Sequence, residues 1–477
     1  MKRESAVLHA VQRRVFEQAL RGVGKRARRN RGEGYVGVVN AIQKTLGNGW
    51  PEAAYDRLRD SLKQDGKWTV FFDDLLDNHD PDYLRGVMMA FGFEASFSGF
   101  RTTRRISERE GVSIPWVILF DPTSACNLKC RGCWSAEYEH HLNLSYEDMD
   151  DLVTQGKRLG IHAYVMTGGE PLVRKKDIVK LAEKHHDCAF LIFTNSTLVD
   201  QAFCDDMKRC KNILLSLSIE GMEATTDARR GEGVFRSVVK AMDLLRKNGL
   251  LFGTSICYTK ANCETVTSDV FLDFLIEKGC MFSWYFHYMP VGNEADTELM
   301  PTVEQREYMY HRIREIRDFE GGKPIFTIDF QNDGEFVSGC IAGGKYYCHI
   351  NPAGDVEPCV FIHYSGANIH QMTLLDCLKQ PLFREYQKAQ PFNKNLLQPC
   401  PMLENPEMLR EMVERSCAKS TDMMSPEEVH HLCAKCDRYA AEWAPKAKEL
   451  WESRHPAETE ENAPAEGSSE AELKKVI

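Results

Sequence analysis

Short apolar runs alternate with amphipathic stretches through the middle of the chain. The runs are Trp116–Phe120, Ala163–Met166, Ala189–Thr194, Ile213–Ile219, Phe252–Cys257 and Phe282–His287. Apolar runs this short, with helical patterns between them, predict buried strands. Helical periodicity occupies Ser145–Leu159, Lys175–His185, Asp200–Arg209, Val234–Asn248 and Thr265–Lys278. Ser145 with Asp148 resembles a capping box, and Gly160 and Gly249 stand where helices end. Strands alternating with helices predict a parallel sheet with right-handed crossovers. Six are too few for a closed eight-stranded barrel. The expected fold class is therefore α/β, an open, TIM-like partial (β/α)6 barrel with ligands at the C-terminal strand ends.

The flanks read differently. Residues 1–31 hold ten Lys or Arg against two acids, Glu4 and Glu17, and Val7, Leu8, Val11, Val15 and Leu20 recur at helical spacing. A solvated terminal helix fits this pattern, and so does a basic amphipathic helix in weak contact with an anionic membrane surface or a partner. Gly32 to Gly34 are expected to break it. Short helices follow at Val36–Leu46, Pro51–Gln64 and Asp80–Phe91, the last started by Asp80-Pro81. Pro301–Phe319 reads as a charged helix and Ala440–Trp451 as a closing one, with a Gly-rich, cysteine-bearing stretch between them. From His455 the Glu, Pro, Ser and Ala composition predicts disorder. The expected division is 1–110 helical, 111–320 partial barrel, 321–454 cysteine-bearing and 455–477 acidic tail.

Composition narrows the class. A net charge of −10 argues against specific nucleic-acid binding. No apolar stretch approaches the ~18 residues of a membrane span, and no secretory apolar region stands at the N-terminus. Seventeen cysteines in a chain of 477 residues point to a reducing cytoplasm rather than a disulfide framework. Scattered cysteines such as Cys188, Cys204, Cys210, Cys257, Cys263, Cys280 and Cys377 read as small core residues. Clustered ones read as metal ligands.

The first cluster is Cys126-x3-Cys130-x2-Cys133, directly after the first strand. Three thiolates leave one coordination position open, whereas structural zinc wants four ligands; His140 and His141 are the nearest alternatives. The second strand ends in Thr167-Gly168-Gly169-Glu170-Pro171-Leu172. Together these motifs resemble the radical S-adenosylmethionine (radical SAM) superfamily over roughly residues 112–300. The resemblance implies a [4Fe-4S] cluster on Cys126, Cys130 and Cys133, with its open iron taken by the amino and carboxylate groups of S-adenosylmethionine. Reductive cleavage would then yield a 5′-deoxyadenosyl radical that abstracts a substrate hydrogen. It also implies cofactor contacts at Gly168, Gly169 and Glu170 for the amino group, Ser218 for the ribose and Arg230 for the carboxylate, with Arg229 as the alternative and Asn195 as a weaker candidate. Backbone near Cys257 and Tyr288 would flank the adenine. Many members carry an aromatic residue just before the third cysteine. Here that residue is Gly132, so Trp134 or local backbone is expected to cover the adenine.

A second cysteine set begins at Cys340 and Cys359, with Gly354 between them, and continues through Cys400 and Cys417 to Cys433-x2-Cys436. It resembles SPASM and Twitch auxiliary-cluster domains. The resemblance implies at least one auxiliary [4Fe-4S] cluster on Cys340, Cys359, Cys433 and Cys436, with Cys400 and Cys348 as alternatives and Cys417 structural. The architecture as a whole implies an oxidoreductase or maturase served by an external one-electron donor of flavodoxin or ferredoxin type. A peptide or protein is the expected substrate, with a tetrapyrrole or a lipid as the alternative. A non-enzymatic iron–sulfur electron-transfer protein is the rival reading. No catalytic acid or base announces itself; His287, Tyr288, Asp329 and Asp333 are pocket candidates.

Overall fold

The computed structural model describes residues 2–46, 52–63, 66–136, 141–319 and 321–455. His140 and, apart from His455, the expected disordered tail lie outside the described residues. The main sheet runs β7-β6-β5-β4-β3-β2-β1-β8-β9. Its strands are β1 (Val117–Phe120), β2 (Ala163–Met166), β3 (Ala189–Thr194), β4 (Ile213–Ser218), β5 (Phe252–Tyr258), β6 (Phe282–His287), β7 (Phe326–Asp329), β8 (Tyr347–Ile350) and β9 (Val356–Glu357). Every pairing is parallel except β8 with β9. The six expected strands are all present, and the molecule is an open, TIM-like partial barrel extended at both edges. β7 extends the far edge. β8 pairs with β1 in register Val117↔Tyr347 and joins the cysteine-bearing C-terminal region to the barrel.

Side chains alternate across a strand, and here the alternation divides the sheet into two unlike faces. Ile118, Phe120, Tyr164, Ile192, Leu215 and Ile256 are fully buried and pack under the crossover helices. Their neighbours Val117, Val165, Phe193, Ser255, Trp284 and Phe286 face a cavity on the concave side. The Ser145 capping box forms as expected, with Asp148 donating its backbone N–H to the Ser145 hydroxyl, and Gly160 ends the helix at φ +92°.

The N-terminal region consists of α1 (Lys2–Arg29), α2 (Arg31–Leu46), α3 (Glu52–Lys63), α4 (Lys67–Asp77), α5 (Pro81–Val87), a π-helix (Met88–Gly99) and α6 (Phe100–Glu110). Two expectations are corrected. The break after α1 falls at Asn30, and α2 runs through Gly32 to Gly34. Glycine lowers helix propensity by about 1 kcal/mol against alanine but does not forbid a helix that packs elsewhere; Tyr35 and Val39 bury α2 against Tyr55 and Leu62. The segment expected as one helix over Asp80–Phe91 is α5 followed by π-helical backbone, in which Gly99 lies so close to Gly160 that a Cβ would stand 2.5 Å from its carbonyl oxygen.

α1 is held by His9 and Arg13 on Glu94 and by Phe16 against Phe93. That arrangement leaves Val7, Leu8, Val11 and Val15 exposed. α5 is tied to the barrel by the Tyr83 hydroxyl, which donates to the carbonyl of Ile213 at 2.7 Å in a fully buried setting. Tyr83→Phe leaves that carbonyl without this partner and is expected to cost about 1 kcal/mol. A lowered denaturation midpoint, with an unchanged slope in a urea titration, checks it.

Candidate active site

The loop after β1 carries the three cysteines, and the loop after β2 is fastened to it by backbone. Gly169 donates its N–H to Thr123 at 3.0 Å and Glu170 to Ala125 at 2.8 Å. A Cβ on Gly169 would lie 2.2 Å from the Ala125 carbonyl oxygen, and Gly168 sits at φ +100° against Asp121. The glycine pair is thus required by contact between the two loops, not only by close approach to a ligand.

Cys126, Cys130 and Cys133 line one cavity of about 870 Å³, together with Gly168, Gly169, Glu170, Ser218, Arg229 and Arg230. The structure therefore brings the expected residues into one place. Donors surround the sulfurs. Leu128 N–H reaches Cys126 Sγ at 3.4 Å, Arg230 Nη1 lies 4.0 Å from Cys130, and Ser135 Oγ lies 3.3 Å from Cys133. Burial raises the Cys126 thiol to about 11 and also raises Cys130, where Arg230 opposes the shift. Thiols in this state would need a cation beside them to ionise, which the iron of a bound cluster would supply. Among the described residues no group of three His, Cys, Asp or Glu is set to hold a single metal ion. Three thiols opening onto a shared cavity fit a larger cluster instead.

Around them the cavity offers graded partners. The Ser218 hydroxyl makes no hydrogen bond to the described residues, and its register partner Ser255 also lines the cavity. Sequence reading passed over Ser255, although the strand register makes it equivalent. The Glu170 carboxylate is taken up by protein, accepting from Thr194 Oγ1 at 2.7 Å, Asn195 N–H at 2.7 Å and Leu172 N–H at 3.0 Å. Burial still pushes its pKa up. Backbone of the Gly168–Gly169 turn is what this loop mainly offers to a ligand. Asn195 is spent on Asn127 and Thr197.

Glu220 was missed by sequence reasoning. It is fully buried after β4 and its Oε1 accepts from Arg229 at 2.5 Å and from Arg230 at 2.6 Å, while Oε2 accepts from Cys257 N–H at 3.1 Å. Arg229 also donates to the Gly132 carbonyl at 3.3 Å. One carboxylate thus aims both guanidiniums at the cysteine loop. The Ile219-Glu220-Gly221 turn was the signal that could have exposed it.

The space beside Gly132 is filled from another element. A Cβ there would stand 2.7 Å from Tyr288 and 2.7 Å from Leu299. Trp134 also lines the cavity and packs edge-on to His349 and His363, at 5.8 and 6.1 Å between ring centroids. Of the other pocket candidates, His287 lines the cavity but is held neutral. Its ring contacts the Tyr288 carbonyl and the Tyr439 hydroxyl, and burial lowers it to about 3. Asp329 and Asp333 do not line the cavity; Asp329 bonds Asn332 and Asp333 pairs with Arg317.

The second cysteine set lies just behind the cavity wall formed by Ile341, Tyr347, Val360 and Phe361. Tyr386 packs in one cluster with Cys340, Cys359, Cys400 and Cys433, whose charges would act on its hydroxyl, and that hydroxyl is buried without a hydrogen-bond partner. An orphaned hydroxyl near four thiols fits a sulfide-bearing cluster. Cys433 and Cys436 share one face of a helix, Val429–Arg454, which starts well before the expected closing helix. Cys348 is not brought to this group. It alternates with Tyr347 along β8, so it points into the main core beside Cys377 while Tyr347 donates to Cys359 at 2.7 Å. Cys417 is exposed.

Comparison with known proteins agrees with this geometry. Residues 120–261 match the radical SAM superfamily, and residues 340–402 match an iron–sulfur cluster-binding domain, SPASM. The chain is 27% identical to the mycofactocin maturase MftC of Mycolicibacterium smegmatis, over 53% of this chain and 66% of that protein. It is 25% identical to the AdoMet-dependent heme synthase of Methanosarcina barkeri, over 59% and 84%. The solved structure of Streptococcus suis SuiB bound to S-adenosylmethionine shares the fold at TM-score 0.53 and 19% identity, over 71% and 81%. The chain thus carries a radical SAM domain over residues 120–261 and a SPASM-type iron–sulfur domain over residues 340–402. It is an enzyme whose cofactors are S-adenosylmethionine, a [4Fe-4S] cluster and auxiliary iron–sulfur.

Glu220→Ala would leave two partly buried guanidiniums without their shared carboxylate. The expected cost is about 3 kcal/mol, in line with breaking a buried ion pair, with weaker S-adenosylmethionine binding. Thermal unfolding of the metal-free chain and calorimetric titration of the cofactor read the two effects separately.

Proposed function

We propose that this chain removes a hydrogen atom from a C–H bond of a substrate held in the 870 Å³ cavity, between the two cysteine sets. When bound, the cluster and S-adenosylmethionine supply a 5′-deoxyadenosyl radical as the abstracting agent, and the auxiliary cluster supplies an electron acceptor or substrate anchor. The observation that carries this reading is the convergence of Cys126, Cys130 and Cys133 with Gly168, Ser218 and Arg230 on one cavity.

Each group of residues has its own part. Cys126, Cys130 and Cys133 hold the first cluster. The Gly168–Gly169 backbone accepts the amino group, with Glu170 fixing that turn. Arg230, steered by Glu220, pairs with the carboxylate as a planar fork; Arg229 keeps the turn at Gly132 in place. Ser218, with Ser255 beside it, contacts the ribose. Cys340, Cys359 and Cys433 hold the auxiliary cluster together with Cys400 or Cys436, and the surroundings of Tyr386 favour Cys400. The chain works as four parts, 1–110, 111–320, 321–454 and 455–477, in the cytoplasm, reduced by a flavodoxin- or ferredoxin-type donor. Among the described residues no helix is long and apolar enough to cross a membrane.

Two substrate readings have support. The maturase among the relatives supports a peptide. The aromatic and aliphatic lining of the cavity supports the apolar alternative, a lipid or a tetrapyrrole.

Replacing Cys126, Cys130 and Cys133 together with Ala should abolish 5′-deoxyadenosine formation while about four of about eight irons remain. Surviving cleavage would refute the assignment. For the auxiliary site, Cys400→Ala and Cys436→Ala are compared by iron and sulfide analysis. Loss of about four irons in Cys400→Ala alone is the expected result.

A further inference from the structure

Away from the cysteines and the residues beside them the cavity is lined mainly by aromatic and aliphatic side chains, with the Tyr55, Tyr288 and Tyr346 hydroxyls and the Trp284 indole as the polar groups among them. Phe193, Trp284 and Phe286 come from the sheet, Phe330 and Phe361 from loops, and Trp116 from the lead into β1. Glu170 is the only carboxylate lining it among the described residues, and three protein donors already occupy that group. Ser96 donates to the Phe91 carbonyl, Tyr347 to Cys359, and both His287 nitrogens are engaged. A peptide threaded here would find few partners for its N–H and C=O groups, whereas a hydrocarbon chain needs none.

The cavity continues outward. Phe97 and Arg101 line both it and a second recess of about 540 Å³, which α1 borders with Leu8, His9 and Gln12. In that recess Glu94 is paired with His9 and Arg13, and Asp187 with Lys157. Arg101 lies over the Phe97 ring at 4.1 Å, and neither Arg101 nor Arg105 pairs with a carboxylate among the described residues. An uncompensated pair of arginines therefore stands at the outer end of an apolar cavity. Beside it α1 exposes Val7 (63%), Leu8, Val11 and Val15 (60%), with Arg14 also exposed. Residues 1–31 carry ten cationic side chains and two acids within a chain of net charge −10. Apolar and basic groups on one terminal helix complement an anionic bilayer surface.

We propose that the substrate is a membrane-derived amphiphile, with its long apolar chain in the cavity between the two cysteine sets and its anionic head group at Arg101 and Arg105. This rests on the radical SAM reading above and names the substrate class of that site. The head group stays at the outer recess, so the C–H bond that reaches the radical site belongs to the apolar chain. α1 rests on the bilayer from which the amphiphile is drawn.

The test uses the full chain with its clusters reconstituted anaerobically. Formation of 5′-deoxyadenosine on reduction with S-adenosylmethionine is scored first; its absence counts against the enzyme reading, independently of the binding measurements. cis-Parinaric acid, a fluorescent long-chain fatty acid, is then titrated. Saturable binding is expected, weakened about tenfold or more in Arg101→Gln/Arg105→Gln, a change of about 1.4 kcal/mol or more, and weakened also in Phe336→Arg at the exposed mouth. Lysophosphatidylglycerol should displace the probe, and an apolar heptapeptide should not. Co-flotation with phosphatidylglycerol vesicles should exceed that with phosphatidylcholine vesicles and fall in Val11→Glu/Val15→Glu. Failure of the wild-type protein to bind the probe, unchanged binding in the arginine variant, or equal displacement by the peptide overturns the proposal. Equal flotation with both vesicle types overturns the bilayer as the source.

Discussion

The two halves of the site are held in one frame by a buried ion cluster. His349 on β8 meets Asp121, just past β1, at 2.9 Å and Glu357 on β9 at 2.6 Å, all three fully buried. The two carboxylates outweigh burial and raise His349 to about 10, so the imidazole is cationic at neutral pH. Spare lone pairs are used: Thr167 donates to Asp121, and Asn351 and Thr421 donate to Glu357. Such a cluster contributes little net stability against an apolar replacement but is costly to break one member at a time. It sits directly under Trp134, beside Cys133, and two residues from Cys359. Strand pairing sets the distance between the cysteine sets, and this cluster fixes their orientation.

Much of this was legible in the chain. The six apolar runs became six strands because parallel strands buried under helices need continuous apolar character, which a period-based reading detects directly. β7 and β8 were not legible. Phe326–Asp329 and Tyr347–Ile350 are four residues each, and half of the second is Cys and His. Whether such a segment joins a sheet depends on an open edge elsewhere, which is a tertiary fact. The π-helix was missed because its composition also suits an α-helix, and only the close approach at Gly99 separates them.

The candidate site divides in the same way. Residues whose type is fixed by chemistry, the cysteines and the Gly-Gly-Glu turn, stood out at their spacing. Glu220, which aims two arginines, and Tyr386, buried beside the second cysteine set, carry no spacing signal of their own. The β-strand alternation that turned Cys348 inward was in principle readable, but only once Tyr347 was known to face Cys359. A ligand set cannot be read from cysteine order where the strand phase is unknown.

Gly132 and Tyr288 show how a role can migrate within a fold. The ring that fills the space beside the third cysteine belongs to the residue following β6, whose backbone N–H is fixed to the Tyr258 carbonyl at 3.0 Å. It therefore rides on the sheet and not on the metal-binding loop. A loop freed of its cluster can rearrange without carrying that ring away, so this wall of the cavity persists in the metal-free chain. The two positions are also sterically exclusive: a side chain at 132 and a ring at 288 occupy the same volume. Any lineage that moves the aromatic back to the loop has to surrender the tyrosine in the same step.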